Sequence, residues 1–121
     1  MRIVWLLLLI GIAGGVYSLM NREKAPVLRP NDPRLETGDE RIVMLAAEWC
    51  GYCRKQRQDF ERASVRYRVL DVDTPEGDRA AQALGTRSVP VTVIGQHVVH
   101  GYQTDELQER LTPLGYRVYP Q

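Results

Sequence analysis

Residues 46–56 read AAEWCGYCRKQ and contain both cysteines of this 121-residue chain, Cys50 and Cys53. The apolar run over 41–47 (RIVMLAA) predicts a buried strand, and the residues that follow, as far as Ser64, predict a helix built from strong helix formers. The C-x-x-C motif therefore lies where a strand leads into a helix. This position bears on both the expected fold and the expected chemistry, because it places two thiols at the free backbone N–H groups of a helix N-terminus.

Two thiols in this position predict redox chemistry. The N-terminal end of a helix favours the thiolate, so the pKa of Cys50 is expected to fall below the ~8.5 of a free thiol, which makes Cys50 the nucleophile. Cys53 lies on the same helical turn, from which it can attack a mixed disulfide and release the product. Arg54 and Lys55 add positive charge nearby.

Two other interpretations of the cysteines stay open at this point. The pair is compatible with half of a zinc site completed by His97 and His100, and with buried, inert thiols. The zinc interpretation is disfavoured because residues 54–96 separate the two pairs, far more than the ~12–15 residues of a zinc finger. The histidines also stand at an odd offset on a predicted strand, which points them to opposite faces. For each histidine alone, a solvated or hydrogen-bonded structural role is expected.

The rest of the chain alternates between strand and helix patterns. Branched residues predict a second strand over 67–73, and Thr74-Pro75-Glu76 predicts the start of a helix that ends at Gly85. Two apolar runs joined by Gly95-Gln96 predict a hairpin. The remaining expected elements are strands over 91–94 and 97–100, a helix from Thr104 with Leu107, Leu111 and Leu114 on one face, and an irregular tail over 115–121. The order β-α-β-α-β-β-α predicts an α/β fold in which a small mixed sheet is flanked by helices.

A second motif, RSVPVTVIG, places Pro90 at the start of a strand. Taken alone, this is compatible with an ordinary edge-strand proline. In combination with the upstream C-x-x-C, it predicts a cis Val89–Pro90 bond that turns the Val89 backbone toward the thiols, where it can pair with an extended substrate segment.

These motifs together resemble a known family. AEWCGYC resembles the active-site stretch of the thioredoxin superfamily, and SVPVTVIG followed by HGYQTDEL resembles its glutaredoxin branch, over residues 41–114. The resemblance implies a thiol–disulfide oxidoreductase of the thioredoxin/glutaredoxin fold, with Cys50 as nucleophile, Cys53 as resolving thiol and Pro90 as the cis proline. It also implies that Trp49, Tyr52 and Val89 contribute to the substrate surface.

The resemblance is incomplete in the segment that binds glutathione in glutaredoxins. Gly101 matches the first glycine of the family's Gly-Gly-x-Asp turn, but Tyr102 follows it, and Asp105 comes one residue later than the family's Asp. Gly101 and Asp105 are the candidate glutathione-binding residues, and glutathione is the candidate reductant. The segment is closer to the small glutaredoxin-like hydrogen donors of ribonucleotide reductase, which act like thioredoxins. No cofactor is required for this chemistry.

Gly51 and Tyr52, the residues between the cysteines, carry two further implications. The dipeptide lacks the His of strongly oxidising relatives, which favours a reductase. Gly51 stands where glutaredoxins usually have Pro, and some relatives with a small residue there hold a [2Fe–2S] cluster between two subunits with glutathione. An iron–sulfur carrier is therefore the alternative function.

The N-terminus differs in composition from the rest of the chain. Residues 3–20 contain no charge, and a run of that length is enough to cross a bilayer. Residues 1–20 are therefore predicted to form a transmembrane anchor or signal segment, with the retained anchor favoured. Arg22, Lys24 and Arg29 after the run hint at a cytoplasmic C-terminus, whereas a short basic start before an apolar run is the usual export arrangement and predicts an extracytoplasmic domain.

The linker composition and the charge balance of the rest of the chain limit the classes of partner that are expected. Residues 21–40, with Pro26, Pro30 and Pro33, are predicted to form a linker to a domain over 41–121. Removing Arg2 from the 16 basic residues leaves 15 against 15 acidic ones, and no basic block stands out, which argues against nucleic-acid binding. The expected partners are disulfide-containing proteins and an upstream electron donor, with the protein itself a monomer.

Overall fold

A four-stranded mixed sheet forms the centre of the domain in the computed structural model, which describes residues 2–20 and 28–120. The strands are β1 (Ile42–Ala46), β2 (Arg68–Asp71), β3 (Val91–Ile94) and β4 (His97–His100), in the spatial order β2-β1-β3-β4. The helices are α1 (Arg2–Met20), α2 (Arg34–Thr37), α3 (Gly51–Arg62), α4 (Pro75–Leu84) and α5 (Thr104–Leu111), followed by a 3-10 turn (Thr112–Leu114). β1 pairs with β2 in parallel and with β3 antiparallel, and β3 pairs with β4 antiparallel. The predicted order β-α-β-α-β-β-α is confirmed.

Both faces of the sheet are covered, as the burial of every residue of β1 and β3 shows. Alternate side chains of β1 enter different clusters. One face packs against α3 and α5 through a cluster that includes Phe60, Leu107 and Leu111, and it continues through Met44 to the two cysteines. The other face packs against α4 through Val43, Leu45 and their neighbours. The dithiol is thus attached directly to the core.

Helix α4 begins and ends where its local sequence predicts. Thr74 is its N-cap, with Oγ1 accepting a hydrogen bond from the Gly77 N–H at 3.2 Å, and Pro75 occupies the first turn. Gly85 ends the helix in a left-handed conformation at φ 68°. Both ends are therefore set by local side-chain and backbone chemistry.

The second half of the predicted linker is packed onto the domain instead of forming a tether. Residues 34–37 form the short helix α2, and Thr37 is buried with its hydroxyl donating to the Gly95 carbonyl. Gln96 Nε2 donates to the Gly38 carbonyl at 2.7 Å. Asp32 is buried and bonded to Arg34. Residues 21–27, the other part of the predicted linker, lie outside the described residues.

The apolar N-terminal segment forms α1, whose side chains over residues 3–16 are exposed. Among the residues that the structure describes, no helix has the length and apolarity needed to cross a membrane. The predicted membrane anchor is therefore not supported.

Candidate active site

The C-x-x-C motif begins helix α3, with Cys50 as the N-cap residue (φ −89°, ψ 111°). Its sulfur accepts a hydrogen bond from the Cys53 N–H at 3.2 Å, one of the N–H groups that have no partner within the helix. Cys50 and Cys53 form a disulfide, with their Cα atoms 5.2 Å apart. The two residues can therefore exchange between a disulfide and a pair of thiols at the helix N-terminus.

The two sulfurs differ in their access to solvent. Cys50 is 7% exposed and Cys53 only 1% exposed. A substrate can thus approach Cys50 more readily, while Cys53 lies beneath it against Met44 and Ala46.

The Val89–Pro90 bond is cis, as the second motif predicts. The Val89 carbonyl oxygen lies 3.7 Å from Cys50 Sγ, so the proline loop faces the first cysteine. Pro90 is buried, and its carbonyl accepts the Gly101 N–H at 2.8 Å. The structure therefore brings together three segments far apart in the sequence, those of Cys50, Val89 and Gly101.

Trp49 stands beside the dithiol with 67% of its surface exposed. Its indole N–H donates to Asp73 Oδ2 at 2.9 Å, which holds the ring over the end of β2. A groove of about 490 Å³ runs between Trp49 and Val89, and its lining includes the charged residues Asp73, Asp78 and Arg87. An extended segment placed in this groove would lie next to Cys50.

Tyr52 flanks the dithiol with 66% of its surface exposed, and its ring stacks on Tyr102 at 5.8 Å between centroids. Tyr102 also donates its hydroxyl to Asp59 Oδ2 at 2.5 Å. In the sequence, Tyr102 is only a departure from a glycine motif, and the motif does not predict this contact. The available signal was the pair of aromatic residues at two predicted site segments, which does not by itself indicate contact.

The remaining predicted site residues and the charges near them have simpler surroundings. Gly101 adopts φ 82°, a conformation that favours glycine. Asp105 is exposed in the first turn of α5, where a negative charge favours the helix dipole. Arg54 donates to the Glu48 carbonyl, and Lys55 lies 5.6 Å from the centre of the Tyr102 ring.

His97 and His100, the residues of the zinc interpretation, are exposed on β4. Within residues 2–20 and 28–120, no three His, Cys, Asp or Glu residues are grouped so that they could hold a metal ion.

A buried polar pair lies one helical turn beyond Cys53. Gln56 and Thr92 are both fully buried, and Gln56 Nε2 donates to Thr92 Oγ1 at 2.6 Å, joining α3 to β3. Thr92 is paired with Met44 in the sheet, and Met44 packs with Cys53. The pair thus fixes the inner side of α3 at the sheet face that carries the dithiol.

A disulfide at a helix N-terminus, facing a cis-proline loop on a mixed four-stranded sheet, defines a site of the thioredoxin type. Residues 42–99 match the sequence model of the glutaredoxin family. The matched segment is slightly less than half of the chain, so this part of the sequence is similar to the glutaredoxin family, and the fold is that of thioredoxin-like proteins.

Known glutaredoxins and glutaredoxin-like proteins are similar to this chain in sequence or in fold. The mitochondrial glutaredoxin-2 of Pongo abelii is 31% identical over 110 residues, which cover 84% of this chain and 66% of that relative, just under two thirds of its length. The structure of a buckwheat glutaredoxin–glutathione complex is similar with a TM-score of 0.53 and 26% identity, covering 67% of this chain and 78% of that one. The NrdH-redoxin of Escherichia coli has a TM-score of 0.52 over 67% of this chain and 97% of its own, and at 23% identity it shows the fold alone.

Proposed function

We propose that this protein is a thiol–disulfide oxidoreductase that reduces protein disulfides, or mixed disulfides with glutathione, by a dithiol mechanism. The observation that carries the proposal is the Cys50–Cys53 disulfide at the N-terminus of α3, with Cys50 Sγ 3.7 Å from the Val89 carbonyl. This arrangement supplies a sulfur that can be attacked or can attack, a buried partner that resolves it, and a backbone segment beside it.

The reaction has two exchange steps. The Cys50 thiolate attacks one sulfur of the substrate disulfide, the substrate S–S bond breaks, and the departing sulfur takes a proton from water. The Cys53 thiol then passes its proton to water and attacks Cys50 Sγ; the bond between Cys50 and the substrate breaks, and the second substrate sulfur leaves and takes up a proton from water. The substrate has gained two electrons and two protons, and the protein is left with the Cys50–Cys53 disulfide. A thiol donor must reduce that disulfide before the next cycle.

The substrate surface in this proposal consists of Trp49, Tyr52, Val89 and Pro90. Trp49, which precedes Cys50, and Tyr52, which stands between the two cysteines, offer exposed aromatic area, and such rings contribute strongly to binding when they are covered. The backbone of Val89, beside Cys50, is the group that would pair with an extended substrate segment.

Glutathione is the proposed donor or mixed-disulfide partner. The glutaredoxin family match and the similarity to a glutaredoxin solved with glutathione support it. Gly101 lies next to the site through its bond to Pro90, and Asp105 would supply a carboxylate at the start of α5. The alternative of a [2Fe–2S] carrier stays a prediction that rests on Gly51, and visible absorption of protein purified without oxygen tests it.

Attachment to a membrane and an extracytoplasmic location also stay predictions. They are motivated by the uncharged run over 3–20 in the sequence alone, since no helix in the described part of the chain has the length and apolarity of a membrane span. Cell fractionation of the full chain, followed by labelling of Cys50 with a thiol reagent that does not cross membranes, tests both. A monomer is proposed, and light scattering of the purified protein tests that.

The deciding experiment compares wild type, Cys50→Ser and Cys53→Ser in the reduction of insulin disulfides. Cys50→Ser is expected to abolish turnover, and Cys53→Ser to accumulate a mixed disulfide that mass spectrometry detects. Glutathione with its reductase and thioredoxin reductase are compared as donors, and the reduction potential is measured against the range of about −270 to −120 mV spanned by related dithiols. Retained turnover in Cys50→Ser would contradict the proposal.

A further inference from the structure

Tyr102 lies against the exposed side of α3, where it contacts three residues of that helix. Its ring stacks on Tyr52 with an interplanar angle of 26°, and Lys55 Nζ lies 5.6 Å from the ring centre. Its hydroxyl donates to Asp59 Oδ2 at 2.5 Å. Residues 52, 55 and 59 follow one another at helical spacing along one side of α3, so a single side chain spans two turns of the helix that begins at Cys50.

The backbone and a neighbouring ring fix Tyr102 from its other side. The preceding residue, Gly101, donates its N–H to the Pro90 carbonyl at 2.8 Å, which ties this segment to the proline loop. Tyr119 packs edge-on against the Tyr102 ring at 6.2 Å. Burial, with the hydrogen bond to Asp59, raises the pKa of Tyr102, so its hydroxyl remains a donor at neutral pH.

Tyr52 itself has little to hold it. Its exposed fraction is 66%, and it precedes Cys53 in the first turn of α3. A side chain this exposed samples several rotamers unless a neighbour selects one, and ordering it when substrate binds lowers affinity. The stacked Tyr102 ring is the contact that selects one position.

We propose that Tyr102 is a positioning residue that holds the Tyr52 ring beside the dithiol and so sets the preference for an apolar residue next to the substrate cysteine. The proposal rests on the proposed reductase function. The two stacked rings present continuous apolar area on the Tyr52 side of the motif, and an apolar side chain beside the reacting sulfur gains by covering it.

Two peptides of equal length, each closed by an internal disulfide, test this preference. One carries Leu and the other Ser next to each cysteine, and each is reduced by wild type, Tyr102→Phe and Tyr102→Leu. Tyr116 supplies the matched controls: Tyr116→Phe also removes a phenol hydroxyl that takes part in one hydrogen bond, in this case from the Arg66 N–H, and Tyr116→Leu also removes a ring.

Tyr102→Leu is expected to raise KM for the Leu peptide roughly three- to tenfold, the scale of an aromatic pair, with kcat within about twofold and KM for the Ser peptide little changed. Tyr102→Phe keeps the stack and is expected to keep most of the preference. In NMR spectra, the Tyr52 ring protons are expected to shift in Tyr102→Leu, because the neighbouring ring current is lost, and to stay near their wild-type positions in Tyr116→Leu.

Two results would overturn the proposal. Unshifted Tyr52 resonances in Tyr102→Leu would show that Tyr102 does not position the ring, and an unchanged ratio of the two KM values would show that the ring does not set the preference. Reduction of neither peptide by wild type would instead count against the reductase function, and the Tyr52 resonances would still decide the positioning role.

Discussion

Cys50 and Cys53 are three residues apart, yet their surroundings differ. Cys50 has the open side, the Val89 carbonyl and the helix N–H that favours a thiolate, whereas Cys53 has an almost fully buried sulfur. Burial among apolar atoms raises the pKa of a thiol, and an N–H donor lowers it. The two sulfurs differ in their solvent access and in their hydrogen-bond partners.

This difference predicts selective alkylation of the reduced protein. Cys50 is 7% exposed and Cys53 only 1%, so iodoacetamide is expected to modify Cys50 faster than Cys53. Mass spectrometry locates the label, and Cys53→Ser is the control in which only Cys50 can react. Faster labelling of Cys53 than of Cys50 would reverse the assigned roles.

The Gln56–Thr92 pair predicts a loss of stability when one partner is removed. Thr92→Val leaves the buried Gln56 Nε2 without its acceptor, and an unpaired buried donor costs about 1–3 kcal/mol. Urea unfolding measures the loss in free energy of unfolding. Adding Gln56→Leu to Thr92→Val removes both polar groups and is expected to recover part of it; a double variant less stable than Thr92→Val would contradict this account.

The positions of some candidate site residues can be predicted from sequence where chemistry restricts the residue type. Two cysteines at a helix start and a proline before a later strand are rarely combined for another purpose. The helix-start position of Cys50 and Cys53 and the cis Val89–Pro90 bond could therefore be predicted. Tyr102 could not, because its stack with Tyr52 joins segments fifty positions apart and aromatic residues serve many purposes. The same holds for the Trp49–Asp73 bond.

At the level of elements, α4 approaches β2 more closely than a side chain allows. A Cβ added to Gly77 would lie 1.8 Å from the Asp71 carbonyl oxygen, a backbone atom that cannot easily move away. The absence of a side chain at position 77 therefore lets the first turn of α4 pack on the end of β2.

This contact reverses the usual effect of replacing glycine in a helix. Gly→Ala ordinarily stabilises a helix by up to about 1 kcal/mol, but Gly77→Ala is expected to destabilise the domain by roughly 1–3 kcal/mol or more through overpacking. Gly85→Ala is the comparison, since its cost is conformational only, with nothing within 4 Å of an added Cβ. Thermal unfolding ranks the variants, and a stabilised Gly77→Ala would contradict the packing argument.

Helix α2 shows where reading of elements from sequence fails. Prolines and turn-forming residues over 30–39 correctly indicate irregular backbone, and only four residues form a helix. What holds the segment is tertiary: the Thr37 hydroxyl on Gly95, Gln96 on Gly38 and Arg68 on Glu36. No local pattern specifies these partners, so the sequence alone predicts a domain boundary after them, at residue 41.

For the whole molecule, the position of that boundary is testable by truncation. Removing residues 1–27 leaves α2 and its contacts, whereas removing 1–40 deletes them, including the hydrogen bonds that Thr37 and Gly38 form with Gly95 and Gln96. Each lost hydrogen bond is worth about 0.5–1.5 kcal/mol, so the shorter chain is expected to unfold with a free energy lower by about 2–4 kcal/mol. Urea unfolding of both chains measures this, and equal stability would show that residues 28–40 add nothing to the domain.

The same segment gives the domain an acid-sensitive contact. Burial alone would raise the pKa of Asp32, but the hydrogen bonds and charge of Arg34 outweigh it, and the net pKa is below the ordinary 3.8. The stabilisation is therefore present above pH 3.8 and lost as the pH falls through the lower, folded-state value. Asp32→Asn is expected to flatten the pH dependence of unfolding in that range. A curve unchanged from wild type would exclude the contribution.

The sheet ends on each side in a strand of only four residues, β2 and β4. Unpaired strand edges are the template on which a second chain can add, and long flat edges lead to aggregation. Here each edge offers few free backbone groups and carries polar side chains at both ends, Arg68 and Asp71 on one and His97 and His100 on the other. The sheet edges of the folded domain therefore give little opening for self-association, so its colloidal behaviour at high concentration depends on segments outside the sheet.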